Sequence, residues 1–309
     1  MTADPTQTDL LHRFSFAHAP IRGQWVRLET VLEQICANQP YPPAVSRLLG
    51  QMLSAVAMFA DGIKFNGAVT LHSQGQGPLT TLMAECRSQN LLRGIARWNP
   101  DTPMAETAPM SELIGDGQLA ISLLPDSLQH GNREDEQPVS YQGLIGIEQG
   151  DFAHNLEAYF ATSEQIPSRL FFASHASSVT GLLLQRIPAP DNATELELDS
   201  HAALWEEVGV LAATLTDAEL LELQPDALLR RLFNTHTLNL HPARELRFEC
   251  TCNRQKTAAT LQMLGRSELL ELLQSEGEIT VTCEVCGQPF LYQAVDIHLL
   301  LEPGNPRIH

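Results

Sequence analysis

The chain has 309 residues, 43% of them hydrophobic and 18% charged, enough apolar material for a full core and too much for a disordered polypeptide. Its 37 acidic against 19 basic side chains leave a formal charge of −18. That surface repels phosphate over a Debye length of roughly 8–10 Å at physiological salt, which argues against nucleic-acid or anionic-membrane partners.

Length predicts two domains, or one large domain with a small one. No stretch is expected to supply the roughly 20 apolar residues that cross a bilayer. The opening MTADPTQTDLLHRF lacks a basic n-region and an apolar h-region, so a cytoplasmic protein is expected.

In chain order, Trp25 to Ile35 reads as a helix with Val31, Leu32 and Ile35 on its apolar face, broken by Pro40, Pro42 and Pro43. Val45, Leu48, Leu49, Met52, Val56 and Phe59 recur at three- and four-residue spacing, the pattern of a buried helix. Strands are predicted at Ala68–His72, Thr80–Glu85 and Gln118–Leu123, with a turn at Gly75-Gln-Gly77-Pro78. A helix over Ala153–Phe160 and strands over Ser168–Ser174 and Gly181–Arg186 complete an α+β core of mixed sheet and helix, assigned to residues 1–190.

Pro188-Ala-Pro190 marks the next boundary, and from Ile187 to Leu229 there is no Lys or Arg. The acids there are Asp191, Glu195, Glu197, Asp199, Glu206, Glu207, Asp217, Glu219, Glu222 and Asp226. This acidic linker, residues 191–240, is nevertheless amphipathic: Leu204, Trp205, Val208, Leu211 and Leu215 share one face of a helix that Asp199 or Ser200 could cap. Thr216-Asp-Ala-Glu219 has capping-box spacing for a second helix, and Pro225-Asp226 starts a third through Leu228, Leu229 and Leu232. With no opposite-sign i,i+4 pair other than Asp226 and Arg230 in the third helix, and with Gly209 inside the first, these helices depend on docking. The segment reads either as an ordinary acidic helical hairpin or as a metastable one that exposes its apolar face when its neighbours let go.

Four of the six cysteines cluster as Cys250-Thr-Cys252 and Cys283-Glu-Val-Cys286, in a C-terminal domain assigned to residues 241–309. Two such pairs can surround one tetrahedral Zn²⁺ per chain with four thiolates, which leaves no open position for a catalytic water. Around them the sequence predicts a helix from Lys256 to Leu264 stopped by Gly265, and a second capped by Ser267 and stopped near Gly277. A strand Ile279–Thr282 should pair with Phe290–Tyr292. A module this small buries little surface, and a structural zinc can supply ~10–16 kcal/mol of folding free energy. Such a site serves either as a permanent staple or, since each pair is close enough to form a local disulfide, as a redox-sensitive one.

On these residues the chain resembles the redox-regulated 33 kDa bacterial heat-shock chaperones. The likeness runs through Gly75-Gln-Gly77-Pro78-Leu79, Glu85-Cys86, Arg93-Gly94, Tyr141-Gln142-Gly143, Tyr159 to Pro167 and Gly181 to Pro188. It is most specific at Phe248 to Arg254, Leu264 to Leu269 and Cys283 to Gly287. The resemblance implies an ATP-independent holdase, not an enzyme, in which Cys250, Cys252, Cys283 and Cys286 bind Zn²⁺ when reduced. On oxidation it implies that Cys250 pairs with Cys252 and Cys283 with Cys286, that zinc leaves, and that the linker undocks to bind unfolding client proteins. It further implies a homodimer on oxidation and hand-over to ATP-dependent refolding chaperones.

Cys36 and Cys86 fall on apolar patterns and read as small buried hydrophobes outside the switch. His236, His241 and His298 are spare to a site that four thiolates complete. Gly75-x-Gly77 lacks the third glycine of a dinucleotide loop, and no phosphate-binding Gly-x-x-x-x-Gly-Lys-Ser/Thr run is present. The rival reading is a permanent zinc-ribbon adaptor that recruits protein partners, with a zinc enzyme a distant third.

Overall fold

A computed structural model of the chain describes residues 8–62, 67–125, 141–147, 150–190 and 192–302. Residues 1–7 of the opening segment and Asp191 of the linker acids lie outside them. In chain order the elements are β1 (Leu10–Phe16), β2 (Ile21–Leu28), α1 (Thr30–Cys36), α2 (Pro43–Gly62), β3 (Gly67–Gly75), β4 (Leu79–Arg87) and β5 (Leu91–Trp98). Then follow α3 (Met110–Ile114), β6 (Gly117–Pro125), β7 (Tyr141–Ile145), α4 (Phe152–Thr162), β8 (Ser168–His175) and β9 (Ser178–Arg186). The linker carries α5 (Glu195–Ala212), α6 (Asp217–Glu222) and α7 (Pro225–Leu232), and short strands β10 (Leu238–Leu240), β11 (Arg244–Glu245) and β12 (Arg247–Phe248) come after it. The chain ends in α8 (Arg254–Leu264), α9 (Arg266–Glu276), β13 (Ile279–Thr282), β14 (Pro289–Tyr292) and α10 (Ala294–Leu300). The fold is mixed α+β.

Two compact units result, Met1–Phe248 and Glu249–His309. The linker helices, set apart in the sequence as residues 191–240, belong to the first unit, and so do residues 241–248, because β11 and β12 pair with its strands.

The first unit is built on two sheets, ordered β10-β1-β2-β9-β8, with β11 also on β1, and β12-β5-β4-β3-β6-β7. Helix α2 packs against β2, β8 and β9 of one and β3, β4 and β5 of the other. It begins at Pro43, whose fixed φ and missing N–H suit a first helical position. Val45, Leu48, Leu49, Met52, Leu53 and Val56 are all buried, as a helix enclosed by protein requires. At 20 residues α2 is long and apolar enough by composition to cross a membrane, contrary to the sequence expectation, but 78% of its most apolar window is buried in the fold.

A second correction concerns Trp25. Residues Trp25–Leu28 lie in β2, and only Thr30–Cys36 forms the helix. Strand β2 is covered on both faces, so Gly23 to Leu28 are all buried and the two-residue alternation that marks a strand is erased. Gly23 faces the Phe14 ring so closely that an added Cβ would lie 2.1 Å from it.

The outer face of the first sheet is covered by α5, α6 and α7. Phe14, Phe16, Trp25, Leu182 and Leu184 meet Trp205, Val208, Leu220, Leu228, Leu229 and Leu232 in one buried cluster, with Leu204, Leu211 and Leu215 half-buried at its margin. The cap of α5 is Thr194, in a reciprocal box with Glu197, rather than Asp199 or Ser200, so the helix starts earlier than expected. The Thr216/Glu219 box forms as the sequence predicts. The linker's own cations come only in the last turn of α7, where Arg231 pairs with Glu219, and the sheet provides another: buried Arg27 donates to the carbonyls of Leu221 (2.5 Å) and Leu223 (3.0 Å) at the end of α6, over the Trp25 ring.

The second unit has a small core of Ala258, Leu261, Leu269, Tyr292 and Ile297. Tyr292 Oη lies 2.6 Å from Thr257 Oγ1 and donates to the Arg254 carbonyl, while the Arg254 guanidinium stacks on the Tyr292 ring and pairs with Asp296. Gly265 stops α8 as expected, but Ser267 is not the cap of α9: that helix starts directly after Gly265 and has no side-chain cap.

Replacing Gly23 with Ala should therefore force the Phe14 ring out of the seam under the linker and cost about 1–3 kcal/mol, read as a lowered urea midpoint. An unchanged midpoint would show that the ring has room to move.

Candidate metal centre

The two cysteine pairs are placed by different local devices. Asn253, directly after Cys252, caps α8 by accepting from the Lys256 amide, which fixes the chain at the end of the first pair. The second pair sits in the tight connection between β13 and β14, closed by Cys283 N–H to the Gln288 carbonyl (2.9 Å) and Gly287 N–H to the Cys283 carbonyl (2.8 Å). Gly287 takes φ +70, a left-handed conformation natural to glycine, and so turns the chain back after Cys286.

The four ligand sulphurs lie within 4.8 Å of one another. Cys250 Sγ is 3.7 Å from Cys283 Sγ, and Cys252 Sγ is 3.4 Å from Cys286 Sγ. Four sulphurs held at ~2.3 Å from one tetrahedral ion stand roughly 3.8 Å apart, so the donor set fits a metal ion in both type and spacing.

Electrostatics point the same way. Burial raises the Cys250 thiol to about 11, against the lowering effect of the Cys252 amide and thiol. Burial, with hydrogen bonds to Cys286 and Cys250, pushes the Cys252 thiol up further. Burial acts upward on Cys283 too, but hydrogen bonds from the Cys286 and Val285 amides outweigh it and leave that thiol lowered. Four thiolates this close repel one another unless a cation sits among them.

The remaining candidates lie elsewhere. Among the described residues no histidine joins the cluster. His236 Nε2 is 3.2 Å from Glu207 Oε1, the His241 amide donates to the Arg13 carbonyl, and His298 lies in α10. Cys36 is half-buried at the end of α1, its thiol raised by burial against a hydrogen bond from Ser46. Cys86 is fully buried in β4, and burial above all pushes its thiol up to about 12. Neither presents a thiolate at neutral pH. Sequence reasoning overlooked Arg254 and Tyr292, which brace the start of α8 against β14. The signal was present in Asn253, an N-cap residue directly after a ligand-type cysteine.

Metal capture by these thiols must release protons, because Cys250 and Cys252 keep theirs in the metal-free chain at neutral pH. Apparent affinity for the metal should accordingly fall by about tenfold per pH unit for each proton displaced, measured by competition with a chelating dye between pH 8 and pH 6. A flat profile would mean that the thiols are not the ligands.

Comparison with known proteins agrees with this architecture. A family model described as Hsp33 protein matches residues 9–293. The chain is 36% identical over 292 residues to the 33 kDa chaperonin of Nitrosococcus oceani, covering 94% of each chain. It is 35% identical over 293 residues to that of Pseudomonas aeruginosa, again with 94% of each covered. With the 33 kDa chaperonin of Shewanella oneidensis it shares 32% over 297 residues, 96% of this chain and 97% of the relative. The crystal structure of the 33 kDa chaperonin (heat shock protein 33 homolog) of Thermotoga maritima has the same fold, with a TM-score of 0.75 at 21% identity, covering 94% of this chain and 97% of that one. A match of this extent, with the four sulphurs gathered at one point, shows that the chain belongs to the Hsp33 protein family.

Proposed function

We propose that the chain is a redox-regulated, ATP-independent cytoplasmic holdase, silent when reduced and zinc-bound and active when its four clustered cysteines are oxidised. The observation that supports this most directly is the gathering of Cys250, Cys252, Cys283 and Cys286 within 4.8 Å, in a unit whose buried core, among the described residues, is only five side chains. Zinc bound there would stabilise the unit by ~10–16 kcal/mol, more than so small a core supplies.

An oxidant such as hypochlorous acid attacks one thiolate of a pair, and its neighbour displaces chloride or water to close the disulfide. Per pair, a thiolate, a thiol and one HOCl become a disulfide, chloride and water, with two electrons passing from sulphur to chlorine. Following the family resemblance, Cys250 joins Cys252 and Cys283 joins Cys286. Neither disulfide can hold the metal, so residues 249–302 lose their stabilisation and unfold.

The output is carried by the linker. Trp205 and Val208 are buried against the sheet, with Leu204, Leu211 and Leu215 at the edge of the same seam. Undocked, these five side chains and the sheet face beneath them form a contiguous apolar surface of the kind that binds unfolded chains. The linker's acidity keeps the loaded complex soluble. The family resemblance further supports a homodimeric active form and transfer of clients to ATP-dependent refolding chaperones.

Titrating the reduced protein with hypochlorite should release one zinc per chain, counted with a coloured chelator, in step with suppressed aggregation of a heat-denatured client. Full activity with zinc still bound would defeat the linkage. Client binding that stays constant across the titration would favour a permanent zinc-ribbon adaptor instead. Cys283→Ser removes one thiolate and should give partial holdase activity without oxidant; a zinc-loaded, silent variant would show that Cys283 is not needed for the switch.

A further inference from the structure

Between the linker helices and the first cysteine pair, residues 238–248 run as an extended strap that fills the outer edges of both sheets of the first unit. β10 pairs antiparallel with β1 (Phe14 with Leu240, Phe16 with Leu238), and β11 continues along the same edge (Leu10 with Glu245). β12 pairs parallel with β5, placing Phe248 opposite Leu92. Among the described residues β10 and β12 end their sheets, so without the strap β1 and β5 would be open edges.

The strap is held weakly for its length. Its strands have three, two and two residues, shorter than the usual five or six. The contacts that hold it are chiefly main chain: Ala17 N–H to the Thr237 carbonyl (3.0 Å), and the amides of His241, Leu246 and Arg247 to the carbonyls of Arg13, Asp9 and Asn90 (2.9 Å each). Side chains add further fixed points: Leu238 packs on the cluster under the linker and Phe248 against the main core. Leu246 is buried in the main core. Arg244 Nη1 reaches the enclosed Asp61 carboxylate (3.1 Å) and the Gln89 side-chain oxygen (2.6 Å). Asp61 also accepts from Gln24 (2.8 Å) and lies 3.7 Å from Arg13.

We propose that the strap is an internal ligand for these edges, and that its release opens β1 to an extended segment of an unfolding client carrying apolar residues and one basic residue. The inference rests on the redox-holdase reading, since unfolding of residues 249–302 is what frees the strap's C-terminal end. Main-chain hydrogen bonds suit a protein whose clients share no sequence, because every extended chain offers them. The edge is already shown to accept an extended segment of this chemistry, the strap itself. Leu238 packs against the Phe14, Phe16 and Trp25 cluster, so an apolar side chain in that register has a seat. Asp61, once Arg244 has gone, keeps Gln24 and the more distant Arg13 on its Oδ2 but loses the 3.1 Å guanidinium on its Oδ1, a place that an arginine or lysine of the incoming segment can take.

The test uses a fluorescein-labelled peptide with the sequence of residues 238–248 and the full-length protein, oxidised or reduced, followed by anisotropy beside the client-aggregation assay. The oxidised protein should bind the peptide and the reduced protein should not. N-methylation at the positions of His241, Leu246 and Arg247 should weaken binding by about tenfold or more, as should Arg→Gln at the position of Arg244. Parent and N-methylated peptides bound equally well by an oxidised protein that holds clients would mean adhesion to apolar surface alone and would overturn the proposal. So would a client-holding protein that ignores the parent peptide. An oxidised protein that holds no client would instead sink the holdase reading.

Discussion

Four thiols drawn within 4.8 Å of one another are the constraint on which the second unit depends. Left protonated, they are weakly bonding groups crowded together beside a small core. Ionised without a counter-charge, they repel. One cation resolves both difficulties, and among the described residues the unit has little else to fall back on: its buried core is five side chains, fastened by the Thr257–Tyr292 hydrogen bond and the Arg254–Asp296 pair, both near the start of α8. A fold whose stability is concentrated in metal–thiolate bonds is a fold that thiol chemistry can remove. Cys86 and Cys36, with thiols raised by burial, show the contrast within the same chain, since they are embedded where no thiolate forms at neutral pH.

The first unit has the opposite character. Helix α2 is enclosed by two sheets, and most of its residues are buried, so this core rests on apolar packing rather than on a metal site. What is marginal is its outermost layer. The linker helices bring Trp205, Val208 and Leu228 to the seam but lack any basic residue up to Leu229, and the carbonyls ending α6 are satisfied by Arg27 from β2. Burying that guanidinium costs solvation, which its hydrogen bonds and the Trp25 ring offset in part. Apolar burial favours docking of this layer while desolvation and like-charge repulsion oppose it, which suits the undocking proposed above.

How much of this was legible in the sequence depended on whether the signal was local. The Thr216/Glu219 box, the Gly265 stop and the β13–β14 pairing follow from residues within a few positions of one another, and all three form as read. The cysteine cluster was legible because two close pairs leave few other arrangements. Trp25 was misassigned to a helix because tertiary burial of both faces of β2 removes alternation, a consequence of distant packing that no local window contains. The glycines of Gly75-Gln-Gly77 mark the β3–β4 turn, but their need for close approach to the backbone of Leu113 and Ile114 depends on a helix more than thirty residues away. The Asp61–Arg244 pair was equally invisible, since its members are separated by most of the first unit and meet only once β11 is on β1.

Chain connectivity explains why the strap bears on the linker at all. While β10 and β11 remain paired with β1, the linker is a loop closed at both ends, by β9 before it and by the strap after it. An undocked linker then gains only the entropy of a closed loop. Freeing the strap converts that loop into a tail tethered at one end. For a segment of about 50 residues, the closure entropy, (3/2)RT ln n, comes to about 3–4 kcal/mol in favour of the undocked state. That shift is comparable to burying one or two large apolar side chains, so it can tip a marginal docking equilibrium without altering a single contact in the seam. In the proposed switch, oxidation therefore need not act on the linker itself: unfastening the chain beyond it is enough.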